Sequence, residues 1–102
     1  MGLVKPVIIS PQALQDLDEV YAWILYKFGT TTLQNFHNKW SVFLQLLSTQ
    51  PTLFPYLNRQ KGLRKFVFYK RNLVIYKNKR THVEIVAVFN TWQNPKKLKI
   101  YK

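Results

Sequence analysis

Cysteine is absent from this chain of 102 residues, which also holds only four acidic residues and three glycines. Without cysteine, no disulfide framework and no thiolate metal site is available. Three glycines are too few for a glycine-rich phosphate loop, and the two histidines and four acids lack a metal-ligand spacing. No apolar run approaches the roughly 18 residues of a membrane helix, and the N-terminus does not have the form of a signal peptide. The sequence therefore predicts a soluble, cytoplasmic protein without metal or other cofactor.

Aromatic residues, by contrast, are abundant. They make up 16% of a chain that is 47% hydrophobic, so the chain can bury a core despite its small size. We therefore predict one domain over residues 1–102, with a basic tail from about residue 93 to which the pattern assigns no helix or strand. The sequence shows no repeat and no second domain.

Positive charge is concentrated in the C-terminal half. Sixteen Lys and Arg residues face four acids, for a formal net charge of +12. Thirteen of the sixteen lie in residues 59–102, where Glu84 is the one acid. A field of this sign and size favours a polyanionic partner, such as nucleic acid, an acidic protein segment or anionic lipid. The alternative is a charged face that only keeps the protein in solution.

The N-terminal half predicts one strand and two amphipathic helices. Residues 4–9 favour a short strand at a sheet edge, and Ser10-Pro11 then starts a helix, because serine caps the first amides and proline suits the first helical position. Gly29 ends this helix. The threonines at 30–32 start a second helix, which Pro51 ends. Both helices carry an apolar stripe at 3-4-3-4 spacing: Leu14, Leu17, Tyr21, Ile24 and Phe28, then Leu33, Phe36, Trp40, Phe43 and Leu47.

The C-terminal half changes to a period of two, which is typical of strands. After a loop at 51–63, strands are predicted at 64–69, 73–76 and 82–89. In the last strand we expect the odd-numbered residues from 83 to 89 to share one face and the even-numbered residues the other, which makes this strand central. The order β-α-α-β-β-β predicts an α+β fold, in which an antiparallel helical hairpin packs on a mainly antiparallel sheet and leaves the other face for a partner.

Several short segments follow one another in a specific order: Ser10-Pro11-Gln12-Ala13, Phe28-Gly29, Pro51, Leu63-Arg64, Leu73-Val74-Ile75-Tyr76, and Ile85 to Thr91 leading into Gln93-Asn94-Pro95. In this order, in length and in charge, the chain resembles the RelE/ParE family of bacterial type II toxin–antitoxin toxins. The resemblance implies a growth-inhibiting toxin that a cognate antitoxin neutralises by covering the sheet. It leaves open a homodimer and a toxin–antitoxin hetero-oligomer.

The family contains two activities, and the resemblance does not choose between them. RelE-like members cleave mRNA on the ribosome, whereas ParE-like members inhibit DNA gyrase. Cleavage needs an activated 2′-OH, a stabilised phosphate charge and a protonated leaving group. Arg64 is the first candidate for the phosphate, because a guanidinium stays charged and binds bidentately. Lys65 and Arg71 are the next candidates, and an ordinary surface charge is the alternative for each.

Two positions depart from the RelE-like pattern. Leu73 stands where RelE-like toxins carry a basic residue, and Trp92 stands where they carry arginine after the last strand. Trp92 has three candidate roles: stacking on a base, anchoring an interface or, most commonly for tryptophan, packing on the sheet edge. The predicted binding surface comprises Arg59, Lys61, Arg64, Lys70, Lys79, Arg80 and Trp92.

A general acid or base is missing from its expected places. His37 falls within the second helix, and His82 begins the last strand rather than ending it. Glu84 is expected to pair with a cation, Tyr76 belongs to the predicted core, and Tyr101 in the tail is the remaining candidate. We therefore predict a ParE-like toxin that acts by binding. A RelE-like mRNA interferase, and a non-toxic relative that binds antitoxin or nucleic acid, are the alternatives.

Overall fold

The computed structural model describes residues 4–68 and 71–102. Its elements are β1 (Val7–Ile9), α1 (Pro11–Phe28), α2 (Thr30–Thr49), β2 (Tyr56–Asn58), β3 (Leu63–Phe68), β4 (Asn72–Asn78), β5 (Val83–Asn90) and α3 (Lys97–Tyr101). One sheet holds the five strands in the order β1-β5-β4-β3-β2. The β1–β5 pair is parallel and the other neighbours are antiparallel. The predicted α+β architecture is confirmed, with β1 at an edge and β5 inside the sheet.

The helical hairpin begins and turns where the sequence predicts. The Ser10 Oγ accepts a hydrogen bond from the Ala13 amide at 3.0 Å, so serine caps α1. Gly29 follows the last residue of α1 with φ of +88°, a conformation that favours glycine, and its amide donates to the Leu25 carbonyl at 3.0 Å. The next residue starts α2, so a single glycine joins the two helices.

The main core lies between this hairpin and the sheet, and aromatic rings dominate it. The Phe43 ring centroid lies 4.9 Å from those of both Phe66 and Phe68. Four of the five stripe residues predicted in α2 are fully buried: Phe36, Trp40, Phe43 and Leu47. The α2 stripe is therefore confirmed, with Leu33 partly buried at its end.

The buried stripe of α1 matches the prediction at Leu17 and Ile24, with Tyr21 and Phe28 partly buried against the core, and differs at Leu14. Its buried residues are Ala13, Asp16, Leu17, Val20 and Ile24, whereas Leu14 is 52% exposed. The Asp16 carboxylate also faces the sheet, where it accepts a hydrogen bond from the backbone of β5. A small side chain, Ala13, then lies at the contact with the sheet.

A bulge in β5 corrects the predicted division of its faces. The pairing with β4 shifts register at Val86, which has no partner on that strand. Before the bulge Val83 and Ile85 face the helices, and after it Val88 does so while Ala87 faces the opposite side. The prediction that the odd-numbered residues from 83 to 89 share one face is wrong, because one inserted residue reverses the alternation.

Two further elements were not predicted. β2 forms inside the predicted loop at 51–63, and α3 forms in the basic tail. α3 packs Leu98 and Tyr101 against a second apolar cluster on the face opposite the hairpin, where the Tyr101 ring stacks on Phe89 at 6.1 Å. The second cluster consists of Leu63, Leu73, Ile75, Ala87 and Phe89. The face left open by the hairpin is therefore partly covered by the chain's own C-terminal helix.

Candidate binding surface

The face opposite the hairpin carries a basic groove, called here the sheet-face groove. Its lining comes from β2, β3, β4, the end of β5 and α3: Leu57, Lys65, Val67, Arg71, Leu73, Thr91, Leu98 and Lys102. Three of these side chains are cationic and four are aliphatic, which gives an amphipathic floor. Among the described residues that line it there is no Asp, Glu, His or Tyr.

Arg71 reaches this groove from an unusual backbone position. Its φ is +63°, in the left-handed region that non-glycine residues seldom adopt. The Arg71 carbonyl accepts from both the amide of Thr91 at 3.0 Å and its Oγ1 at 3.2 Å, which ties the start of β4 to the end of β5. The Arg71 guanidinium lies 5.4 Å from the centroid of the Trp92 ring, within cation–π range.

The turn that carries Trp92 is built by a buried pair of asparagines. Asn90 donates from Nδ2 to the Asn72 Oδ1 at 3.2 Å. Its own Oδ1 accepts from the amides of Trp92 at 2.9 Å and Gln93 at 3.0 Å. The indole is 60% exposed and belongs to neither apolar cluster. Of the three candidate roles of Trp92, packing on the sheet is therefore not the one that the structure shows.

Arg64 points away from the sheet-face groove. Its Nη1 donates to the Phe54 carbonyl at 2.6 Å and to the Thr52 carbonyl at 3.2 Å. Because side chains alternate along β3, Arg64 shares the hairpin face with the phenylalanines of that strand, and Lys65 shares the opposite face. The structure thus brings Lys65 and Arg71 into one groove and leaves Arg64 outside it.

Arg64 instead contributes to a second cleft at the sheet edge, called here the edge cleft. It is lined by residues 52–57 together with Arg59 and Arg64. The Tyr56 ring is 39% exposed, with the Arg64 guanidinium 4.0 Å and the Arg59 guanidinium 5.0 Å from its centroid. The sequence reasoning missed Tyr56 because it assigned this segment to a loop. The one sequence feature that indicates this site is Tyr56 three positions before Arg59.

The remaining predicted binding cations lie elsewhere. Lys79 forms an ion pair with Glu84, Nζ to Oε1 3.2 Å, which confirms the expected pairing of that acid. Arg80 is exposed in the same turn, and Lys61 is exposed in the turn between β2 and β3. None of these three lines either cleft. Lys70 falls outside the described residues.

The titratable candidates do not line the sheet-face groove, although Tyr101 lies on α3 beside it. His37 lies in α2 with its Nδ1 2.9 Å from a tyrosine hydroxyl of α1, and the His82 Nδ1 lies 3.0 Å from the neighbouring threonine hydroxyl. Tyr76 is a core residue whose hydroxyl donates to the Pro51 carbonyl at 3.0 Å, and its burial raises its pKa. Tyr101 is held against Phe89. In the described part of the chain, proton-transfer groups therefore do not converge on the basic groove.

Asp16 is the most constrained acid, and sequence reasoning placed it only in the helical half. It is 3% exposed. Its Oδ2 accepts from the Val88 amide beside the bulge at 3.2 Å, while its Oδ1 accepts from Gln12 Nε2 at 2.8 Å and lies 3.5 Å from Lys97 Nζ. One carboxylate thus connects α1, β5 and the start of α3, the helix that forms one wall of the sheet-face groove.

Clusters of metal ligands and long apolar helices are two features for which the described ranges, 4–68 and 71–102, can be checked directly. Within them, no three His, Asp or Glu side chains come together as ligands for a metal ion. No helix there has the length and apolar character needed to span a bilayer.

The helical hairpin on a mixed sheet with a basic opposite face has the form that the resemblance to type II toxin–antitoxin toxins implied. The family model described as the ParE toxin of the type II toxin–antitoxin system parDE matches residues 7–95, so the chain belongs to the ParE toxin family. This family implies a cognate antitoxin as partner, and the predicted family is confirmed.

Comparison with solved structures supports the fold. The chain is similar to one from the chromosomal ParDE toxin–antitoxin system of P. aeruginosa, with a TM-score of 0.71 and 12% sequence identity. The match covers 87% of this chain and 98% of that chain. At this identity the likeness shows a shared fold. Comparison with curated protein sequences gives no match.

Proposed function

We propose that this ParE-like toxin inhibits bacterial growth in the cytoplasm by binding DNA gyrase, without covalent chemistry of its own. The observation that supports this is the composition of the sheet-face groove. Its described lining offers cations and aliphatic side chains, which suit binding, and no carboxylate, imidazole or phenol for proton transfer.

The position of Arg64 adds support. A cleavage site would need its phosphate-binding arginine close to the other reacting groups, since catalysis depends on placement within an ångström or less. The Arg64 guanidinium instead donates to two backbone carbonyls and stacks near Tyr56. It acts as a support for the segment before β2, on the other side of the sheet from Lys65 and Arg71.

The test is supercoiling of relaxed plasmid by purified gyrase, with increasing amounts of the folded protein. We expect inhibition, and we expect the double change Lys65→Ala and Arg71→Ala to weaken it because two groove cations are lost. Lys27→Ala is the control for the loss of an exposed charge outside the groove, and each groove substitution is also measured singly against it. Undiminished supercoiling in the presence of intact, folded protein would refute the proposal.

A RelE-like mRNA interferase is the second candidate, because Lys65 and Arg71 do line one groove. An mRNA interferase would cleave transcripts at codons in a translating extract. If such cleavage occurs and disappears in Arg71→Ala, the interferase replaces gyrase inhibition as the function. Normal growth on induction without antitoxin would instead indicate the non-toxic relative. Separate readouts of translation and supercoiling after induction distinguish the three.

A further inference from the structure

The two basic clefts adjoin at the edge strand of the sheet. Leu57 of β2 lines both the edge cleft and the sheet-face groove. From β2 to the end of β5 the surface crosses three strand spacings, roughly 14 Å. The two clefts, which share Leu57 at the edge strand, are together called here the basic track.

Each end of the basic track carries an exposed aromatic ring beside a guanidinium. At one end Tyr56 lies within 5.0 Å of Arg59 and 4.0 Å of Arg64. At the other end Trp92 lies 5.4 Å from Arg71 and is 60% exposed. Aromatic rings and guanidinium planes are the surfaces on which unpaired nucleic-acid bases stack.

Within residues 4–68 and 71–102, acidic side chains do not neutralise the cations that line the sheet-face groove or Arg59. In the described ranges, the two ion pairs to an acid join Asp16 to Lys97 and Glu84 to Lys79. Arg59, Lys65, Arg71 and Lys102 have no Asp or Glu within ion-pairing distance there, and the two remaining acids lie on α1. Positive charge without an internal partner is available for phosphates.

We propose that the basic track binds single-stranded nucleic acid without sequence preference. The cations of the groove contact phosphates, and bases stack at Trp92 and in the edge cleft. A duplex fits this arrangement less well, because its bases are already stacked within the helix. An acidic peptide would satisfy the cations but would make no use of the exposed aromatic ring at each end.

The experiment is fluorescence anisotropy of a labelled oligothymidylate of about 12 nucleotides, within the site size of small single-strand binders, titrated with the purified full chain. We expect saturable binding whose affinity falls as salt rises. We expect a duplex of equal length and a polyglutamate of equal charge to compete less well than unlabelled oligothymidylate. Equal competition by the duplex or by polyglutamate would overturn the proposal, the latter in favour of an acidic protein segment.

Substitutions at the two ends locate the site. Trp92→Leu should weaken binding about 5- to 150-fold, the loss that follows removal of one stacking platform. Arg59→Ala should weaken it and reduce the slope of log affinity against log salt by about 0.7, the value for one phosphate contact on a single strand. Both side chains are exposed, so both variants are expected to fold, which circular dichroism checks. Lys27→Ala should change affinity less than twofold. Wild-type binding by folded Trp92→Leu and Arg59→Ala would sink the proposal.

This inference does not depend on gyrase as the target. If the protein binds the oligonucleotide and leaves gyrase active, nucleic-acid binding by the basic track stands and the proposed function is refuted. If the protein inhibits gyrase and does not bind the oligonucleotide, the proposed function stands and nucleic-acid binding by the basic track is refuted.

Discussion

The two faces of the sheet use different residues for different purposes. On the hairpin face, rings from α2, β3 and the segment before β2 pack edge to face and stacked, and two long helices cover them. On the other face, a smaller apolar cluster is covered only by the short α3, and cations surround it. Stability therefore comes mainly from one face and is largely independent of the charges on the other. Substitutions on the two faces should separate stability from binding.

The largest effect is expected from Phe43→Ala in the hairpin core. Phe43 is buried and contacts rings of β3 on two sides, so truncation leaves a cavity and should lower the free energy of unfolding by about 3–5 kcal/mol. Chemical denaturation measures it. Val42→Ala, next to it but 57% exposed, should stay within about 0.5 kcal/mol. Similar losses in both variants would contradict the core assignment.

Asp16→Ala comes next, because it leaves the buried Val88 amide without its acceptor and Lys97 without its carboxylate. We expect a loss of about 2 kcal/mol in the free energy of unfolding. Asp18→Ala is the control, since Asp18 is an exposed acid of the same helix. If Asp16→Ala were as stable as that control, the carboxylate would not be the link between α1, β5 and α3.

Tyr101→Ala tests the weaker face. It removes the ring that stacks on Phe89 and should cost about 1 kcal/mol, well below the value for Phe43. Ile100→Ala, at a neighbouring position of α3 that is 67% exposed, should have almost no effect. A loss as large as that of Phe43→Ala would mean that both faces share one cooperative core.

Arg71→Gly should have the smallest effect on stability and a clear one on binding. Glycine adopts the φ of +63° without the cost that a side chain meets there, so stability should stay unchanged or rise by up to about 1 kcal/mol. Oligonucleotide binding should weaken because the guanidinium beside Trp92 is lost. Arg80→Gly, at an exposed turn position where φ is not positive, should instead destabilise slightly. If Arg71→Gly lowered the free energy of unfolding, the Arg71 side chain would stabilise the fold by more than its positive φ costs.

The sequence predicted the architecture well where local signals are strong. Ser10-Pro11 and Gly29 mark the ends of α1 because capping and positive φ are properties of single residues. The α2 stripe is correct because four large apolar side chains leave only one face to bury. The three C-terminal strands lie within a few residues of their predicted limits.

The errors arise where long-range contacts decide. A bulge in β5 has no local marker, since Val86 looks like any strand residue, yet it reverses the faces of the residues after it. β2 is extended because β3 pairs with it, although its own sequence reads as a loop. The position of Arg64 was available from the sequence: with Phe66 and Phe68 in the core, the period of two puts Arg64 on their side and Lys65 on the other.

The parallel pairing of β1 with β5 has a consequence for how the toxin is made. Val7 pairs with Val83, so β1 has no partner until both helices and the strands that precede β5 have been synthesised. Closure of such a long loop is entropically costly and slow relative to local folding. Thr91, the residue directly after β5, also lines the groove. A translation product interrupted before β5 would therefore contain the two hairpin helices without the completed sheet and groove.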